Sequence, residues 1–186
     1  MKLNTETIVA TACVIVEAEG FENLKLQTIA DRIGVRTPSL YNHISSLGEL
    51  RQLVGLSVLE SLEDELRVAA IGRAKEEALF AMAKAYRAFA TAHPRLYRAL
   101  LELINTEDSV RAEGRSMMQT LYRVLEPYAL GEKGTRHFSR AFRSALHGFV
   151  TMQEFCFRAA ADADESFDLL VRALIASLET FDWRKD

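Results

Sequence analysis

The side chains best suited to chemistry lie between residues 26 and 44, which read LQTIADRIGVRTPSLYNHI. Tyr41 and His43 can donate to phosphate oxygens, while Arg36, Thr37 and Ser39 can reach base edges or backbone in a major groove. A helix starting beside them adds free N–H groups and the positive end of its dipole, both of which attract phosphate. Singly, Tyr41 and His43 would read as packing residues; with the turn before them they read as a DNA-contacting set. Other chemistry finds less support. His93, His137 or His147 could serve an acid–base enzyme, but no nucleophile–base spacing accompanies them. His147 reads instead as a packed, hydrogen-bonded histidine. Cys13 and Cys156 fall in apolar helical patterns and read as small buried hydrophobes, because a disulfide framework or zinc site needs more ligands at tighter spacing. No catalytic residue, metal site or cofactor is expected, and the thiols suit a reducing cytoplasm.

Two short helices must hold the contact set. Leu26, Ile29, Ala30 and Ile33 share one face of a helix near 26–33, and Gly34 can take the left-handed conformation that ends it. Ala30 allows close helix approach, and Val35 plugs the space between the helices. Thr37 suits an N-cap and Pro38 a first helical position, opening a second helix near 38–44 with Leu40 facing the core. This spacing is that of a helix-turn-helix.

Around the motif, helical periodicity dominates and strand-like alternation is absent. Ile8, Ala12, Ile15, Val16 and Glu19 mark a helix over about 5–19, stopped by Gly20, with Phe21 and Leu24 as anchors in the connection. A longer helix spans 47–70, with Leu50, Leu53, Val54, Val58, Leu62 and Leu66 inward. Gly72 breaks it, and further helices are expected to about Ala92, then over 94–104, 107–126, 135–160 and 165–183. His93-Pro94 marks one boundary; Asn105–Asp108 offers caps, and Pro127, Gly131 and Gly134 define a loop. The expected fold is all-α with about nine helices. It comprises a three-helix DNA-binding domain over 1–50 (motif 25–44) and a larger ligand-binding and dimerisation domain over 51–186.

Bulk properties set limits on this reading. Hydrophobic residues make up 49% of the chain, enough for a sizeable core, yet no apolar run is long enough to span a membrane. Glu6, Glu17 and Glu19 argue against a signal peptide at the N-terminus. A cytoplasmic protein is expected. The 23 Lys and Arg against 26 Asp and Glu give a net charge of −3, which lends a nucleic-acid partner no support. The positive signal is local, in Lys25 and Arg36.

Gly20-Phe21, IADRIGV at 29–35 and LYNHI at 40–44, followed by Leu50, resemble the tetracycline-repressor (TetR) family of one-component regulators. The resemblance implies that Tyr41 and His43 contact phosphate. It implies that Arg36, Thr37, Pro38 and Ser39 read bases and set register, with Gln27 and Thr28 near the flanking phosphate. Two positions depart from the pattern. Lys25 stands where many members carry a Ser or Thr cap, leaving Asn23 or water to cap the helix and Lys25 to supply charge. Leu47 stands where many carry a phosphate-binding lysine.

FRSALHGFVTMQEF at 142–155 and DADESFDLLVRALIASL at 162–178 resemble a subgroup of TetR C-terminal domains carrying a His-Gly dipeptide. In such proteins the last two long helices pair with their copies in a four-helix bundle. The expected interface is Leu146, His147, Gly148, Phe149, Val150, Phe167, Leu170, Leu174 and Leu178. Phe80, Tyr86, Phe89, Met117, Met118, Leu121 and Tyr122 are adaptable apolar side chains that suit a pocket for an apolar small-molecule effector. The implied function is a ligand-responsive repressor binding a near-palindromic double-stranded operator as a homodimer. A helical small-molecule-binding or interaction protein without DNA binding is the alternative.

Overall fold

The computed structural model describes residues 3–116, 118–156 and 160–183, without the side chains of 115, 116, 154–156 and 160. Every regular element among them is helical. The helices are α1 (Thr5–Glu19), α2 (Leu26–Ile33), α3 (Thr37–Leu40), α4 (Leu47–Ala70), α5 (Lys75–Ala92), α6 (Pro94–Thr106), α7 (Asp108–Ser116), α8 (Met118–Leu125), α9 (Gly131–Cys156) and α10 (Ala160–Thr180). The single helix expected over 107–126 stands as two stretches, and Met117 between them lies outside the described residues. Contacts divide the chain into two units, 1–62 with 92–116 and 63–91 with 117–186. The division thus falls inside α4 after Leu62, where residue 50 was expected, and α6 and α7 group with α2 and α3.

In the first unit, Ile8, Ala12, Ile15 and Val16 of α1 are buried as their spacing requires, whereas Glu19 is exposed. Gly20 ends α1 at φ +94°, its N–H donating to Val16 O at 2.9 Å. The free Cys13 thiol contacts Ser57, and burial pushes its pKa up, so it stays a thiol; the Cys156 side chain lies outside the described residues. Helix ends meet where α1 packs on α6. The Glu17 carboxylate accepts from the backbone N–H groups of Arg95 and Leu96, at 3.4 and 3.1 Å, on the first turn of α6. In return the Arg95 guanidinium donates to the carbonyls of Glu17 and Ala18, on the last turn of α1. Each charge thus meets the helix terminus of opposite sign. Asn105 and Thr106, expected to cap the following helix, instead donate back to Leu101 O and Glu102 O within α6.

The second unit buries Leu79, Met82, Ala83 and Phe89 of α5 together with Phe138, Phe142, Leu146, Phe167 and Val171 of α9 and α10. Arg87 bridges these helices: it pairs with Asp164 at 2.7 Å and lies over the rings of Phe167 and Phe149, at 4.9 and 5.4 Å. The loop expected at 127–134 is shorter. Pro127 sits in a 3₁₀ turn, Gly131 opens α9, and Gly134 is buried inside that helix. A Cβ at Gly134 would come within 3.1 Å of Trp183 O, so this glycine serves close packing rather than a turn.

Candidate nucleic-acid interface

The helix-turn-helix is built as its sequence requires. Gly34 adopts the left-handed conformation (φ +83°, ψ +34°), and its N–H and that of Val35 both donate to Ala30 O at 2.9 Å. This closes α2 and redirects the chain. Leu40 is completely buried and anchors α3. Around that anchor, Arg36, Pro38 and Tyr41 are exposed, with Thr37, Ser39 and His43 half-buried. Lys25 and Gln27 are exposed at the start of α2, with Thr28 half-buried. The nine expected contact residues therefore lie on or beside this one motif, all at least partly accessible.

Three local details differ from expectation. Arg36, not Thr37, occupies the cap position of α3, Thr37 is its first residue, and no side chain caps it. The Thr37 hydroxyl turns the other way, Oγ1 donating to Gln27 Oε1 at 2.7 Å, ten residues back. Regular helix ends at Leu40, although His43 and Ile44 N–H groups still bond to Leu40 O, at 2.9 and 3.1 Å. Lys25 occupies the cap position of α2 without a side-chain bond, and Asn23 donates instead to Glu19 O at 2.6 Å, serving the end of α1.

The start of α4 carries a feature that was legible but not singled out, the capping sequence Ser46-Leu47-Gly48-Glu49. Ser46 Oγ accepts from the Glu49 N–H at 3.0 Å, and the Glu49 carboxylate accepts from the Ser45 N–H and hydroxyl at 2.5 and 2.6 Å. Those bonds from Ser45 hold the Glu49 pKa below its ordinary value of 4.5. A depressed carboxylate contributes stability above its unfolded-state pKa and loses it as pH falls through the folded value. Glu49→Gln should therefore destabilise the protein at pH 7 and match the parent at pH 3, as read by urea unfolding. An equal deficit at both pH values would remove the carboxylate from this role. Leu47, half-buried, supplies no charge to this helix start.

The expected pocket residues do not converge on one site. Tyr86, Met118 and Leu121 line a cavity of about 30 Å³ together with Leu66, Met82, Phe142, Arg143 and Leu146. Phe80 faces a separate open groove with Tyr128 and Arg172, and Tyr122 lines another with Leu130 and Thr135. Phe89 is core, and Met117 lies outside the described residues.

The expected dimer stripe divides as well. Leu146, Val150, Phe167 and Leu178 are buried by the chain itself, which leaves them little area for a second copy. His147, Gly148, Phe149, Leu170 and Leu174 keep partial exposure, although Phe149 packs edge-on to Phe167 at 5.0 Å. The outward apolar positions are Met152 of α9 and Leu169 of α10, 51% and 61% exposed. Gly148 lies one turn before Met152 on α9, and a Cβ there would meet nothing within 4 Å. Burial and then Arg143 lower the His147 pKa, and Thr151 Oγ1 lies 3.4 Å from its Nδ1. Among the described residues no His, Cys, Asp and Glu cluster could hold a metal, and no helix is long and apolar enough to cross a membrane.

An all-helical chain with this exposed motif belongs to the class of helix-turn-helix proteins. The family model of tetracyclin repressor-like C-terminal domains matches residues 79–174, more than half of the chain. An uncharacterized HTH-type transcriptional regulator of Mycobacterium tuberculosis is 33% identical over 180 residues, covering 96% of this chain and 83% of the relative. A second, from Bacillus subtilis, is 29% identical and covers 95% and 93%. A TetR variant of Acinetobacter baumannii in complex with minocycline superposes with a TM-score of 0.74 at 20% identity over all of both chains. Apo ActR of Streptomyces coelicolor gives 0.72 at 21% identity, covering 97% and 96%. This chain belongs to the TetR family of transcriptional regulators.

Proposed function

We propose that the chain is a ligand-responsive repressor that binds a near-palindromic operator as a homodimer, acting by binding rather than turnover in the cytoplasm. The observation that carries this reading is the set of accessible Arg36, Thr37, Pro38, Ser39, Tyr41 and His43 around a buried Leu40. Tyr41 and His43 contact phosphate, Lys25, Gln27 and Thr28 flank it, and Arg36, Thr37 and Ser39 face base edges. Two copies present two recognition segments, which enter successive major grooves when about 34–36 Å apart.

The dimer forms through α9 and α10. The exposed Met152, one turn past Gly148 on α9, and the exposed Leu169 and Ala173, one turn apart on α10, support this, because Gly148 has open space where a partner helix could approach closely. The His147-Gly148 dipeptide lies on this helix, consistent with the subgroup resemblance. The effector is apolar and enters the cavity at Tyr86, Met118 and Leu121. At about 30 Å³ that cavity holds little more than water, so an effector must select a more open packing. Binding shifts the population toward that shape only through its preference for it. Leu66 lines the cavity and lies on α4, the helix that begins at Leu47 just past the recognition segment. A change of packing at Leu66 therefore has a continuous helix along which to reach the DNA-binding motif.

The deciding experiment is operator selection from randomised DNA, followed by titration of variants on the selected site. Tyr41→Phe and His43→Ala should each weaken binding roughly tenfold whatever the sequence. Arg36→Ala should change which sequence is preferred. Recovery of no consensus by the parent protein would favour a helical binding module without an operator.

A further inference from the structure

A chain of side-chain hydrogen bonds crosses the helix-turn-helix and ends on the recognition segment. Gln27 Nε2 donates to Asp31 Oδ1 at 2.7 Å, one turn further along α2. Thr37 Oγ1 lies 2.7 Å from Gln27 Oε1. Chemistry fixes the direction of both bonds. An ionised carboxylate only accepts, so the amide nitrogen of Gln27 must face Asp31 and the amide oxygen must face Thr37. An amide oxygen also only accepts, so the single hydroxyl hydrogen of Thr37 is committed to Gln27. What Thr37 has left to offer, at the first position of α3, is oxygen lone pairs and a methyl group. An exposed acid such as Asp31 beside a phosphate-binding motif works against affinity for a polyanion. Orienting Gln27 gives it a compensating role.

We propose that Asp31 and Gln27 set the hydrogen-bond polarity of Thr37 and make it an acceptor-only reader of the operator. The inference rests on the reading of this motif as the operator-binding element. In the major groove the exocyclic donors are adenine N6 and cytosine N4, whereas guanine offers O6 and N7 and thymine O4 as acceptors. Thr37 therefore selects an amino-bearing base, adenine or cytosine, on the strand it faces, and rejects guanine and thymine there. The signature is unusual: one half-site position restricted by amino against keto character rather than to a single base. Asp31, which need not touch DNA, acts as a positioning residue through Gln27.

The test is selection from randomised DNA with the full-length protein and three variants, each first checked for parental helix content and melting. The parent should return a half-site with one position favouring adenine or cytosine about three- to tenfold, the scale of one hydrogen bond. Thr37→Val keeps the shape but removes the oxygen, and should flatten that position while leaving the others. Thr37→Ser should regain the preference. Asp31→Lys is the decisive variant. An ammonium only donates, so the Gln27 amide must turn over and present its NH₂ to Thr37. That frees the hydroxyl hydrogen, and the same position should swing toward guanine or thymine. A purely structural tie between Thr37 and Gln27 would alter stability without moving the base preference. A parental consensus with no such position, or one unchanged by Thr37→Val or by Asp31→Lys, overturns the proposal alone. No parental consensus at all overturns the operator reading with it.

Discussion

Phe167→Ala should lower the unfolding free energy by about 3–5 kcal/mol, the range for truncating a buried aromatic. The ring is completely buried. It packs edge-on to Phe149 with centroids 5.0 Å apart and carries the Arg87 guanidinium 4.9 Å from its centre. Truncation opens a cavity and also loosens the stack that holds Arg87 against Asp164. The loss should appear in urea unfolding at every protein concentration, because Phe167 supports the protomer's own core. Leu169, two residues on and 61% exposed, should behave in the opposite way. Leu169→Glu should leave the protomer's fold nearly unchanged while shifting sedimentation toward monomer. If Phe167→Ala instead altered only the concentration dependence of assembly, its place in the protomer core would be wrong.

Leu40→Ala should cost about 2–5 kcal/mol and abolish more operator binding than any single contact residue. The recognition helix has only four residues, Thr37–Leu40, far short of the length at which a helix persists on its own. Leu40 is its one buried side chain. Removing that anchor leaves the segment undocked for part of the time. Apparent affinity then falls in proportion to the docked fraction, since only that form can enter a groove. Operator titration should show a loss of at least roughly tenfold with little change in preferred sequence. Unchanged affinity alongside lowered stability would mean that Ile44 and the Gly34 turn position the contact residues without Leu40.

Much of the architecture was legible from local chemistry. Gly20, Gly34 and Gly72 mark helix ends because each adopts a positive φ that other residues resist. The 3.6-residue period placed α1, α2 and α4 within a residue or so of their bounds, since burying one face of a helix imposes that spacing. The nine expected contact residues fall on one compact motif whose helices and turn were readable in the same way, while their roles rest on the family resemblance. Ser46-Leu47-Gly48-Glu49 was equally readable as a cap.

Other features depend on what lies across space. An apolar stripe shows that a face is covered but not by what, so Phe167 and Leu178 read as a surface for a second copy and are instead the chain's own core. Gly134 and Gly148 look alike in sequence. One faces Trp183 and the other open space, a difference made by residues far along the chain. The pocket residues share a composition, yet packing disperses them among a small cavity, two grooves and the core. Thr37 is the sharpest case. Its residue type and its place at a helix start suggested a cap, but Arg36 takes the cap position, and the Thr37 hydroxyl donates to Gln27 on the other side of the Gly34 turn. Sequence determined where the helix-turn-helix lies, because local backbone preferences and helical period suffice for that. Tertiary structure alone decided which faces are free and which polar atoms are already committed, because both depend on neighbours the chain supplies only once folded.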